Sequence, residues 1–229
     1  MQPKKEIFSL YDYRRRIATY RTDLDLLASH QMFAWISVWD DHEVSNNGYR
    51  DGSSGLNNTE DSFERDGGVS VDQRKMNAVR AYFEWMPIRQ VDMDNNLRIW
   101  RSFSIGSLFD LIMLDTRNYD RSITDISWNT HYITEILNDA GRTMMGSIQE
   151  NWYVSYGPEV WNSSVLTSRR FYKQLIGSNR RGATWRLIGS QIVFSRINVT
   201  TWFGSEEDPF NNDAWDGYMA NKNRTLKTL

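Results

Sequence analysis

Two apolar runs, each breaking off into a knot of polar side chains, constrain this 229-residue chain more than any other feature. Phe33-Ala34-Trp35-Ile36-Ser37-Val38 is aromatic and β-branched, as a buried strand would be, and it opens into Trp39-Asp40-Asp41-His42-Glu43-Val44-Ser45-Asn46-Asn47. Leu108 to Leu114 is apolar enough to be a central strand, and it ends in Asp115-Thr116-Arg117. Polar groups held where strands run out into loops are the usual arrangement of an α/β fold, which supports its chemistry on a rigid edge.

The first knot packs three acids, one histidine and two amides into nine residues. Carboxylates, amide oxygens and imidazole are ligand types for hard and borderline cations, and a histidine flanked by acids can act as a general acid. A solvated acidic loop accounts for the same nine residues. In the second knot, Arg117 has the fork geometry to hold a phosphate or a carboxylate of the first knot, and a structural pairing with Asp115 is the alternative.

Around these runs the periodicity alternates. Leu10, Tyr13, Ile17, Tyr20, Leu24 and Leu27 form one stripe of an amphipathic helix, with Ser9 and Asp12 as its capping pair. His30, at the end of that helix, reads as a capping or packing residue. Gly48 to Gly68 is a polar, glycine-rich excursion that would wall the first knot. Ser70 and Gln73 cap a second helix, in which Met76, Val79, Phe83 and Met86 keep helical spacing until Pro87 stops it. Its Tyr82, Phe83, Trp85 and Met86 read as core.

Leu97 to Ile105 alternates in polarity, and Gly106-Ser107 joins it to the central run as a hairpin. A helix is expected from about His131, which has no assigned role, to Asn138. Trp185 to Arg196 reads as two strands or one strand bent at Gly189, and Asp213 to Tyr218 as a loop entering a C-terminal helix. There is no internal repeat and no clear linker.

Composition removes several classes of function. A net charge of -2 with scattered basic residues gives no nucleic-acid signal. The absence of cysteine excludes disulfides, thiolate catalysis and cysteine-based zinc sites. No apolar run approaches the roughly 20 residues of a membrane span, and the polar start Met1 to Glu6 does not read as a signal peptide. Asn-x-Ser/Thr triplets at Asn57, Asn162, Asn198 and Asn223 permit secretion without requiring it. Ten tryptophans suggest a carbohydrate-binding module, but most fall in apolar runs where packing is their default role.

Six runs occur in order: Trp39-Asp40-Asp41-His42-Glu43, Ala81 to Pro87, Leu114-Asp115-Thr116-Arg117-Asn118-Tyr119, Gln149-Glu150-Asn151-Trp152, Trp185 to Gln191, and Asp213 to Tyr218. Together they resemble the PhoD-like alkaline phosphatases and phosphodiesterases, fungal members in particular, along nearly the whole chain. The resemblance implies the calcineurin-like metallophosphoesterase fold, a four-layer α/β/β/α sandwich of mixed sheets flanked by helices. It implies hydrolysis of phosphate mono- or diesters, small-molecule or phospholipid-type, at an iron and calcium centre in a secreted enzyme. The family's Gly-Asn-His-Asp/Glu element is matched by Asp40-Asp41-His42-Glu43. That puts Asp41 at a metal-ligand position and His42 where the acid protonates the leaving oxygen, with Asp40 and Asn47 as weaker candidates for ligation or support.

The departures are equally specific. The family's Asp-bearing and Gly-Asp-x-x-Tyr elements before the cluster are missing, as are the Gly-Asp and histidine-bearing strands after it; no Gly-Asp dipeptide occurs here, and there are three histidines. Where the family continues from Gln-Glu-x-Trp into Phe-Tyr, residues 153–170 intervene, as an in-frame insertion or retained intron would. The expectation is therefore the middle part, over residues 1–229, of one phosphatase domain, inactive by itself. The rival is a non-catalytic binding or scaffold protein that keeps part of the fold.

Overall fold

The computed structural model describes residues 2–55, 57–65, 67–89, 98–150, 170–198 and 210–229, with backbone alone for 170–173. The proposed insertion at 153–170 lies almost wholly outside the described residues, and within it only the backbone of Arg170 is described.

Helices α1 (Leu10–Tyr20), α2 (Leu24–Met32), α3 (Glu60–Arg65) and α4 (Val71–Trp85) precede the first strand. Strands β1 (Arg101–Ile105) and β2 (Phe109–Met113) follow, then α5 (Thr130–Ile136), α6 (Gly146–Glu150), α7 (Arg170–Arg181), β3 (Trp185–Gly189) and α8 (Met219–Leu226). The sheet order is β1-β2-β3, with β1 antiparallel and β3 parallel to β2. The hairpin and the central position of the second run are as the sequence predicts. The turn needs Gly106, whose φ of 54° lies in the left-handed region. A single mixed sheet is found among the described residues, where the resemblance implies two.

Several elements differ from expectation. Phe33 to Val38 is not a strand. Apart from the Phe33 N–H, which closes α2 on the Ser29 carbonyl, it pairs with no described backbone, and Phe33 and Ile36 are 65% and 46% exposed. Apolar, β-branched composition makes a strand only when a neighbour satisfies its N–H and C=O groups. The first amphipathic stripe is two helices, because Asp23 caps α2 by accepting from the Leu26 N–H at 2.9 Å. Ser9 caps α1 and Ser70 caps α4, as read. In α4 Met76 faces solvent, while the buried face includes Val71, Arg74, Lys75, Ala78 and Tyr82. The Gly48–Gly68 excursion contains α3 and the bridges Tyr49–Gly52 and Gly52–Asn57. The last strand stops at Gly189; a Cβ there would sit 2.4 Å from the Met113 sulfur on β2.

Three apolar clusters hold these parts together. Ile112 and Leu114 from the central run pack with Met144, Met145, Leu175, Trp215 and Tyr218. Tyr13 of α1 meets Val44, Ala78 and Ala81. Trp39 packs with Val79, Tyr82 and Ile99. Full burial of side chains this large contributes about 1.5–3 kcal/mol each. The third cluster therefore fastens the start of the acidic knot to α4.

Candidate active site

The end of β2 is held from both sides by glutamines. Gln149, fully buried, accepts from the Asp115 N–H at 2.8 Å and donates to the Asp115 carbonyl at 2.6 Å. Gln191 accepts from the Thr116 N–H and hydroxyl and donates to the Leu114 carbonyl. Three consecutive residues are thereby fixed just where the parallel pair ends.

Asp115 uses that rigidity. Its carboxylate accepts from the Trp39 indole at 2.8 Å and from the N–H groups of Arg117 and Asn118 at 3.1 and 3.0 Å. Burial pushes its pKa up to about 6, against the pull of those donors and of Lys75. Lys75 is itself buried, which lowers it to about 8, and its ammonium donates to the Tyr49 and Arg50 carbonyls at the base of the excursion. The Asn118 amide reaches the Asp40 carbonyl at 2.9 Å.

Arg117 forks onto carboxylates, the second of the two options open to it. Its guanidinium lies 2.6 Å from Asp40, 2.7 Å from Asp213 and 3.7 Å from Asp41, whereas Asp115 receives only its backbone N–H. Asp213 also pairs with the buried Arg121 at 3.0 Å. Burial works to raise the Asp213 pKa, yet the two arginines outweigh it and hold the group below its ordinary value.

Asp41 is buried and closes the turn from within. One carboxylate oxygen accepts from the His42 N–H at 2.8 Å and the other from the Asn47 N–H at 2.7 Å, while its carbonyl accepts from Val44 and Ser45. Asn47 sits at φ 51°, a conformation asparagine tolerates, and its side-chain amide donates to the Asp125 carbonyl at 3.0 Å. Glu43 accepts from the Asp40 N–H at 2.5 Å. His42 stands outside this mesh. Its side chain is 77% exposed, and its Nε2 lies 3.1 Å from the Asn46 amide oxygen and 4.0 Å from Asp41.

Most of the residues that build this arrangement lie in the six runs. The model of the PhoD-like phosphatase family matches residues 1–158 and 168–229. The chain belongs to the PhoD-like phosphatase family. It is 32% identical over 227 residues to alkaline phosphatase D of Bacillus subtilis (strain 168), covering 98% of this chain and 33% of that protein. The solved structure of PhoD superposes with a TM-score of 0.69 at 30% identity, covering all of this chain and 38% of that one. This PhoD-like chain thus spans about a third of the length of the relative it matches.

Among the described residues no three His, Cys, Asp or Glu side chains are grouped as a metal shell. Asp40 is committed to Arg117, and Asn47 shapes the turn and ties it to Asp125. Asp41 retains carboxylate lone pairs, but the carboxylates nearest to it, Asp40 and Asp213, are held by the same arginine. The four expected residues share one turn, yet as a donor set they do not fit an iron and calcium centre by themselves. Asp213, Arg121, Asn118, Gln149 and Gln191 carry the architecture without having been assigned roles from sequence; all but Arg121 lie in the ordered runs. His30 packs edge-on against Trp35, as a packing residue should. His131 lies exposed beside Glu135. No described helix is long and apolar enough to cross a membrane.

Proposed function

We propose that this chain supplies one wall of a metal-dependent phosphoesterase that hydrolyses phosphate mono- or diesters, and that residues 1–229 alone are inactive. Family membership supports the reaction class. The observation that carries the reading is the convergence of the ordered motifs on a single turn, in which every backbone constraint leaves the His42 imidazole exposed. In hydrolysis the phosphorus–ester oxygen bond breaks and the oxygen of water takes its place. The leaving oxygen needs a proton, and His42 is the group held at the surface of the turn to give it, regaining one from the attacking water. Arg117 and Asp115 do not touch substrate in this account; they hold Asp40, Asp41 and the start of the turn.

Iron and calcium, a phospholipid-type or small phosphate ester as substrate, and action outside the cell belong to the same proposal and rest on the family resemblance. When bound, such ions neutralise phosphate charge and activate water. Asp41 is the described side chain best able to contribute to them, and further ligands would have to come from beyond the described residues. The insertion at 153–170 is likewise proposed; its central residues 159–167 lie outside the family match, which supports it, whereas 153–158 and 168–170 are matched.

A non-catalytic scaffold is the second reading, favoured by the lack of a grouped metal shell among the described residues. Expression with the genomic flanking sequence separates the two. A phosphatase will carry stoichiometric metal and hydrolyse p-nitrophenyl phosphate, and His42→Ala will lower kcat by roughly 10²–10⁴. Metal-free, inactive protein under those conditions would leave the scaffold reading standing.

A further inference from the structure

His42 lines two recesses at once. On one side is a cleft of about 410 Å3 between α1, α2, α4 and residues 35–43, a size in which small ligands bury most of their surface. Its inner wall is the buried core of Tyr13, Ala78 and Tyr82, and its outer wall is Leu26 of α2 with Trp35. Trp35 is held in place by His30, ring centroids 4.4 Å apart, and by its indole N–H, 3.4 Å from the Ser29 carbonyl. Behind this lining the Tyr82 hydroxyl, next to the Ser37 hydroxyl, and His30 Nδ1 are buried away from solvent. On the other side is a polar recess of about 390 Å3, whose lining includes Lys5, Glu6, Arg16, Asn46 and Arg74.

Aromatic and aliphatic side chains make up most of the cleft, with Arg16, Arg21, His42 and Glu43 also in its lining, so it suits a ligand with a largely hydrocarbon body and a polar end. It shares its His42 wall with the polar recess, so a molecule with an apolar body and an anionic head could span both. We infer that the cleft binds the aryl or alkyl part of the ester's alcohol and brings the ester oxygen to His42 at the cleft mouth. The part played by the ester oxygen rests on the phosphoesterase reading. Occupancy by an apolar alcohol does not, because it is a binding statement that needs no catalysis.

The test is calorimetric titration of purified residues 1–229 with 1-naphthol, 1-naphthyl phosphate and inorganic phosphate. Both naphthyl compounds are expected to bind at least tenfold more tightly than phosphate and to compete with each other. Leu26→Trp, which fills the cleft, should weaken both at least tenfold while the near-ultraviolet circular dichroism stays native. If that variant fails to fold, Trp35→Ala removes a partly exposed wall and should weaken both at least fivefold. No binding of naphthol, or binding that a folded variant leaves unchanged, overturns the inference. The two levels separate in the enzyme expressed with its flanking sequence: naphthol binding without any hydrolysis would sink the phosphoesterase reading and uphold the cleft, whereas hydrolysis without naphthol binding would do the reverse.

Discussion

The rim of β2 and the turn beside it are built from the same kinds of side chain and treat them in opposite ways. At the rim these groups are buried, or half-buried at Gln191, and answered: Asp115 by three donors, Gln149 and Gln191 by backbone, Arg117 by carboxylates. In the turn Asp41 is answered just as fully, yet the next residue, His42, is left in solvent with one side-chain partner. The contrast teaches that most of a family motif can be scaffolding. A buried polar network fixes geometry as far as its members are satisfied; here only the Asn118 amide oxygen and Arg121 Nε among its named atoms lack a partner, and its product is the position of one unburied imidazole.

The strongest way to break that comparison is Arg117→Met. It leaves Asp213 with Arg121 alone and Asp40 and Asp41 without a cation, so urea unfolding should show a loss of about 3–5 kcal/mol, the cost of stranding buried charge. A loss below about 1 kcal/mol would mean the rim is not held by this network. Gln149→Leu comes next. It orphans the N–H and C=O of Asp115 and should cost about 1–3 kcal/mol, with Gln191→Leu the milder of the pair because its surroundings are less buried.

Titration sharpens the comparison further. Asp115 has its pKa raised to about 6 from an ordinary 3.8, so its contribution to stability is fully present below about pH 4 and is lost as the pH rises through 6. Lys75 has its pKa lowered from 10.5 to about 8, so its contribution is present above 10.5 and is lost as the pH falls through 8. Stability measured by denaturant against pH should therefore fall between 4 and 6 and rise between 8 and 10.5, if other groups are matched with Asp115→Asn and Lys75→Met controls. The smallest effect belongs to the turn: His42→Ala should change stability by no more than about 0.5 kcal/mol.

Legibility in the sequence followed the same division. The hairpin, the capped helices and the central run were readable because their causes are local: alternation, Ser9, Ser70 and Gly106 act within a few residues of themselves. Phe33 to Val38 misled because strand formation depends on a neighbour that composition does not reveal. The break at Asp23 was missed because an apolar stripe runs across it while the capping carboxylate acts on backbone. In the site, Asp41 and His42 stood out by residue type. Arg121, Asp213, Gln149 and Gln191 did not, since the partners that tie them into the site lie between 34 and 96 positions away in the chain. Their only signal was membership, for three of the four, in runs that matched a family.

The central claim is that Asp41 and His42 form one wall of a phosphoesterase centre that residues 1–229 do not complete. Purified residues 1–229, assayed with p-nitrophenyl phosphate and analysed for bound metal, test it most directly. The account predicts no stoichiometric iron or calcium and no hydrolysis sensitive to chelation. Hydrolysis abolished both by a chelator and by Asp41→Ala would contradict it.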